Sequence, residues 1–164
     1  MYWEEVIQLI NNYQDFSSPQ YQFVNGALKT SYLKERNSRR LYFKDFECPP
    51  KIKNELYKYH KLHKFYDVQL FASMGKTSFG HHTDPTNVFI ICLEGEISYI
   101  IEKRTTVTLK QGDTIFIKKN IMHCGKSSNI PRACISCATD TDVPVESVTY
   151  HFGDPFLNGL KNHI

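Results

Sequence analysis

From Tyr66 onward the chain is a succession of short β-rich runs cut off by turn residues, and this rhythm limits the fold more than any other feature. Strands are expected near 66–73, 77–84, 87–94, 96–103, 106–110, 113–118, 131–139 and 145–152. The breaks suit tight reversals. Met74-Gly75-Lys76, Glu94-Gly95-Glu96, Lys103-Arg104-Thr105 and Gln111-Gly112-Asp113 separate the runs, with glycine available where a positive φ is needed. Eight short strands in succession point to a closed or sandwich-like β fold.

Strands of this length and spacing are the signature of a jelly roll. Helical patterning is confined to the first third of the chain. Trp3, Val6, Ile7, Ile10 and Tyr13 recur at helical spacing, so an amphipathic helix is expected over 3–13 that packs on the main body. Residues 14–38 are polar and read as irregular. A second helix is expected to start at Pro49-Pro50, because proline is tolerated in a first helical turn, and to run to about His63 with Ile52, Leu56 and Tyr59 on one face. The 164 residues suffice for one domain with a sizeable core. The reading is a single domain over 1–164: a helical and irregular part at 1–64, a jelly-roll core at 65–152 and a tail at 153–164.

Charge and cysteine usage narrow the function classes. Twenty Lys plus Arg against seventeen Asp plus Glu give a net charge of +3, too slight to imply a polyanionic partner, and nucleic acid is not indicated. The basic run from Lys34 to Arg40 reads as solvated surface. Met1-Tyr2-Trp3-Glu4-Glu5 has acids where a signal peptide carries a basic region, and no later stretch is long and apolar enough to span a bilayer. Five cysteines, an odd number without a secretory signal, fit free thiols in a reducing compartment, so a soluble cytoplasmic protein is expected, with no membrane partner. Cys134 and Cys137 form a C-x-x-C pair, but within a strand such residues face opposite sides, which argues against a zinc or redox role at that spacing.

The residues that carry chemistry are His82-Thr83-Asp84 and His123. In an extended segment, residues two apart share a side, so His82 and Asp84 can face one ion while His81 and Thr83 turn away. Two imidazoles and one carboxylate on a β scaffold form the facial set that holds non-haem Fe(II) and leaves coordination sites open. His60 and His63, three apart on the expected second helix, lack a third partner and read as partly exposed helix histidines.

Three segments together carry a family resemblance. Gly80-His81-His82-Thr83-Asp84, the apolar strand Val88-Phe89-Ile90-Ile91-Cys92-Leu93 with its Glu94-Gly95 turn, and Gly112-Asp113-Thr114-Ile115-Phe116-Ile117 leading to His123 resemble the two cupin motifs. More narrowly, the H-x-D, the glycine-closed strand and the G-D-x-x-x-I before a histidine, with Gly125 and Ser127 after it, are similar to small JmjC-type oxygenases. The resemblance covers about residues 66–139. It implies a mainly β double-stranded β-helix, the cupin jelly roll, with helical N-terminal elements packed on it. It further implies an Fe(II)- and 2-oxoglutarate-dependent hydroxylase with His82, Asp84 and His123 as catalytic metal ligands, acting on a protein side chain or a small molecule.

The JmjC pattern places a lysine just past the glycine turn, and a gapless comparison puts Ile97 there. A bound dicarboxylate still needs a cation. Arg132 is the first candidate anchor and Lys103 the second, with Thr77, Asn87 and Tyr99, and also Tyr66 and Gln69, as candidate hydrogen-bonding residues for the cosubstrate. Two alternatives stay open: a cupin metalloenzyme that binds substrate directly on the ion as a dioxygenase, lyase or isomerase, and a metal-free ligand-binding cupin. A homodimer would cover the N-terminal helix and the barrel edges.

Overall fold

The computed structural model describes residues 2–12, 21–24, 27–30, 38–43, 48–59, 63–73, 78, 80–141, 148–151 and 161–163. Among these residues two helices, α1 (Trp3–Asn12) and α2 (Pro50–Tyr57), accompany twelve strands. The strands are β1 (Tyr21–Val24), β2 (Ala27–Thr30), β3 (Ser38–Phe43), β4 (His63–Ser73), β5 (Asn87–Glu94), β6 (Glu96–Ile101), β7 (Thr105–Lys110), β8 (Thr114–Ile117), β9 (His123–Ser127), β10 (Arg132–Thr141), β11 (Val148–His151) and β12 (Lys161–His163). Seven form one antiparallel sheet in the order β12-β11-β8-β5-β10-β4-β3, three form a second in the order β7-β6-β9, and β1 pairs with β2. The fold is mainly β, a sandwich of antiparallel sheets with the helices packed against the large sheet.

The two packing layers are written on β5. Its odd residues Phe89, Ile91 and Leu93 join a cluster with Val6 and Leu9 of α1 and Ile52 and Leu56 of α2. Its even residues Val88, Ile90 and Cys92 join a second cluster with Ile97, Tyr99 and Leu109 of the smaller sheet. A strand covered on both faces needs an unbroken apolar run rather than alternation, and Val88–Leu93 supplies one. Each large aliphatic side chain so buried contributes roughly 1.5–3 kcal/mol.

Local chemistry fixes the helix starts. In α1 the Glu5 carboxylate accepts the Tyr2 N–H at 2.9 Å, satisfying a donor that the first turn leaves free. The Trp3 N–H donates to Glu94 Oε1 at 3.1 Å and ties this helix to the end of β5. In α2 Pro50 opens the first turn, where no N–H is required.

Several expected elements differ. The second helix ends at Tyr57, and His63 begins β4 instead of closing a helix; His60 lies outside the described residues. Residues expected to be irregular or a tail include β1, β2, β3 and β12, with β3 extending the large sheet beside β4 and β12 extending it beside β11. Among the described residues of 77–84 no strand forms: Ser78 and His82 each make one bridge, to Lys126 and His123. The strand expected over 96–103 stops at Ile101, because Glu102 and Lys103 adopt φ of 50° and 59° in a turn. No helix among the described residues is long and apolar enough to cross a membrane.

Candidate metal centre

His82 and His123 are held together by backbone before their side chains enter. The His82 N–H donates to the His123 carbonyl and the His123 N–H to the His82 carbonyl, both at 2.9 Å. Such an antiparallel bridge puts both side chains on one side, and the ring centroids lie 4.5 Å apart. Each imidazole Nδ1 meets a carbonyl oxygen: His82 at 3.1 Å from Gly80 and His123 at 3.0 Å from Ile121. A carbonyl only accepts, so each Nδ1 carries the proton and, in the neutral ring, each Nε2 keeps its lone pair for an ion.

Asp84 completes the set. Its Oδ2 lies 3.3 Å from His123 Nε2 and 4.0 Å from His82 Nε2, and the three potential ligand atoms all fall within 4.8 Å of one another. Two imidazole nitrogens with fixed tautomers and one carboxylate fit a divalent transition metal. Without an ion, Asp84 accepts a hydrogen bond from His123, and this holds its carboxyl below the usual range against the opposing effect of burial. Burial disfavours charge on His123, yet the hydrogen bonds to Asp84 and to the Ile121 carbonyl outweigh it and raise its pKa.

A turn outside the triad braces it. Asn87 Oδ1 accepts the Lys119 N–H at 3.0 Å, and the Asn120 N–H donates to the Asp84 carbonyl at 2.9 Å. The same turn continues into Ile121, whose carbonyl holds His123. Asn87 is therefore a clamp on the 118–121 turn, and it does not line the cavity as a cosubstrate contact.

The triad lies on the wall of a cavity of about 430 Å³, within the range of small-molecule sites. Arg132 and Tyr99 also line it. Arg132 is 2% exposed; its Nη1 donates to Cys134 Sγ at 3.6 Å, and its Nε has no hydrogen-bond partner. No ion pair engages Arg132 among the described residues. Gly95, at φ +71°, allows this placement, since a methyl there would fall on the Pro131 carbonyl and crowd the Arg132 Cα. Gly125 likewise leaves room for the Tyr99 ring, whose hydroxyl burial keeps protonated.

Lys103 sits exposed in the turn after β6, outside the residues that line the cavity. Thr77 lies outside the described residues. Gln69 lines the cavity, whereas the Tyr66 hydroxyl lies 3.5 Å from Asp140 Oδ1 at the surface. Ile97 is buried beneath Gly125 in the inner apolar cluster. Cys134 is a cavity residue that sequence reasoning missed in this role, because only the pairing of β10 with β5 sets it opposite Cys92.

Comparison with known proteins agrees with the fold. Residues 70–128 match the cupin domain family. The structure of YhaK from Escherichia coli superposes with a TM-score of 0.51 at 12% identity, covering 71% of this chain and 52% of that one. A Cupin 2 conserved barrel domain protein from Leptotrichia buccalis gives a TM-score of 0.48 at 13% identity over 67% of this chain and 44% of its own. An oxalate decarboxylase variant from Bacillus subtilis gives 0.48 at 9% identity over 79% of this chain and 29% of its own. The chain thus spans about half or less of the length of these three proteins. No curated protein matches it. The match over residues 70–128 and the shared architecture show that this chain has the cupin fold.

Proposed function

We propose that this chain is a metal-dependent cupin enzyme that binds a small organic acid directly at the His82, Asp84 and His123 centre. The observation that carries the reading is the placement of those three ligands on the walls of one cavity together with a buried Arg132 that no carboxylate pairs among the described residues. A bound divalent metal supplies Lewis acidity and open coordination positions. The protein's part is orientation. Arg132 pairs with a substrate carboxylate, Tyr99 donates a hydrogen bond, and the apolar residues Val88 and Ile90 exclude water. Oxidation, lyase and isomerase chemistry are all open to such a centre. Five free cysteines fit a reducing compartment, which we take to be the cytoplasm.

A second reading is favoured by Arg132 itself: an Fe(II)- and 2-oxoglutarate-dependent oxygenase that hydroxylates a protein side chain or a small molecule. Here Arg132 anchors the far carboxylate of 2-oxoglutarate in place of the lysine that Ile97 replaces.

Calorimetric titration of chelator-stripped protein with Fe(II), Mn(II) and Zn(II) tests the shared core of both readings. One ion per chain is expected for wild type, with binding lost in His82→Ala and Asp84→Ala. Absence of any binding overturns the metal reading and leaves a ligand-binding cupin. Anaerobic addition of 2-oxoglutarate to the Fe(II) form then separates the two: a saturable visible charge-transfer band selects the oxygenase, and no band selects direct substrate binding.

A further inference from the structure

The metal reading leaves a pair of thiols unused. Cys92 on β5 and Cys134 on β10 are direct partners across an antiparallel ladder, both belong to the inner apolar cluster, and both are at most 1% exposed. Directly opposed residues in such a ladder have Cα atoms about 4.5–5.5 Å apart, inside the roughly 4.4–6.8 Å that a disulfide spans. Cys134 also lines the cavity. The Arg132 guanidinium donates to that sulfur at 3.6 Å, and no carboxylate pairs with Arg132 among the described residues. A buried cation in this setting stabilises negative charge on the neighbouring sulfur.

We propose that Cys134 and Cys92 form a peroxide-reactive dithiol, with Cys134 as the attacking sulfur and Cys92 as the resolving one, closing to a cross-strand disulfide in the cavity wall. The neighbouring Cys92 thiol, aided by the Arg132 charge against the opposing effect of burial, lowers the Cys134 thiol to about 7. The reciprocal influence of Cys134, together with burial, pushes the Cys92 thiol up, and the Cys92 Sγ donates to the Glu94 and Gly95 carbonyls at 3.6 Å. The two sulfurs therefore differ in role at neutral pH.

The reaction balances with hydrogen peroxide as oxidant. The Cys134 thiolate attacks one peroxide oxygen, the O–O bond breaks, and the departing hydroxide takes a proton from solvent, leaving a sulfenic acid. Cys92 then gives up its proton and attacks the Cys134 sulfur; the S–O bond breaks and hydroxide leaves as water with that proton. Two thiols lose two electrons and one peroxide becomes two waters. Closure takes the thiolate away from Arg132 and turns the guanidinium charge over to any anion in the cavity.

The test treats the full chain with a small molar excess of hydrogen peroxide in the presence of a chelator. Free thiols are then counted after denaturation and peptides mapped without reduction. The expected result is loss of two of the five thiols, a Cys92-Cys134 cross-linked peptide, and full recovery with dithiothreitol. In Cys92→Ser the disulfide is absent and dimedone labels Cys134. Survival of all five thiols, or a cross-link joining another pair such as Cys48 and Cys137, overturns the proposal. Dimedone on a cysteine other than Cys134 does the same. Should Cys92→Ser fail to fold, the wild-type peptide map decides alone.

Discussion

His82 and His123 exchange both backbone hydrogen bonds across a single bridge, and each ring is turned by a carbonyl two residues before it in the chain, Gly80 and Ile121. The metal-facing geometry is thus set by main chain on both sides, with a short reach that side-chain rotation cannot easily undo.

Gly80 is the point where that arrangement can be broken without touching a ligand. It sits at φ +71° with open space around its missing Cβ, so alanine there meets backbone strain and no clash. Gly80→Ala is expected to cost about 1–2 kcal/mol of stability if the backbone holds. If the peptide rotates to relieve the strain, the carbonyl leaves His82 Nδ1 and metal affinity falls about tenfold to hundredfold. Calorimetry and thermal denaturation on the same sample read both terms, and unchanged values in both would contradict the role given to this carbonyl.

Asn87→Ala removes the acceptor for the Lys119 N–H and frees the turn that positions Asp84 and His123. Loss of about 1 kcal/mol is expected from the hydrogen bond, with metal affinity reduced by about tenfold. The check is a metal titration in which Asn87→Asp, which keeps the accepting oxygen, restores most of the affinity.

The ion pair gives the metal-free protein a pH signature. The hydrogen bond from His123 depresses the Asp84 pKa, so its contribution is present above the ordinary carboxylate value of about 3.9 and is lost as pH falls through the lower folded value. Burial opposes charge on His123 but is outweighed by Asp84, so its contribution is complete below about 6.5 and is lost as pH rises through the raised folded value. Between those two pH values the pair stabilises most. A metal ion must displace the His123 proton, so affinity weakens as pH drops below the raised value, with proton release measurable by calorimetry in buffers of different ionisation enthalpy. Binding without proton release in that range would rule the ion pair out.

Arg132→Met separates function from stability. Exchanging a buried cation that has no carboxylate partner among the described residues for an apolar chain of similar volume is expected to be neutral or stabilising by about 1–4 kcal/mol. Affinity for an organic acid such as 2-oxoglutarate is expected to fall about tenfold to hundredfold. A variant that unfolds at lower temperature and binds the acid as before would show that Arg132 is structural.

The sequence shows the inner strands plainly because their apolar runs and glycine turns leave little choice: β5, β7 and β8 lie within a residue of expectation. The candidate metal triad is legible for a different reason. Spacing of two brings His82 and Asp84 to one side even though the strand expected there shrinks to isolated bridges at Ser78 and His82. What stays hidden depends on partners distant in sequence. The basic run Lys34 to Arg40 reads as solvated surface, and only the β4 partner shows that Ser38, Arg39 and Arg40 open a strand. Lys103 fits strand parity, but two successive residues with positive φ end the strand before it. The Cys92 and Cys134 pairing skips a residue at a register shift beside Ala133, and no local pattern encodes such a shift.

One strand, β5, has the helices behind its odd residues and the cavity before its even ones. Stability and specificity are therefore encoded in alternating letters of the same short word. Exchanges at Val88 or Ile90 can reshape the chamber while Phe89, Ile91 and Leu93 keep the helical cover docked, so the protein can change what it accepts without renegotiating how it folds.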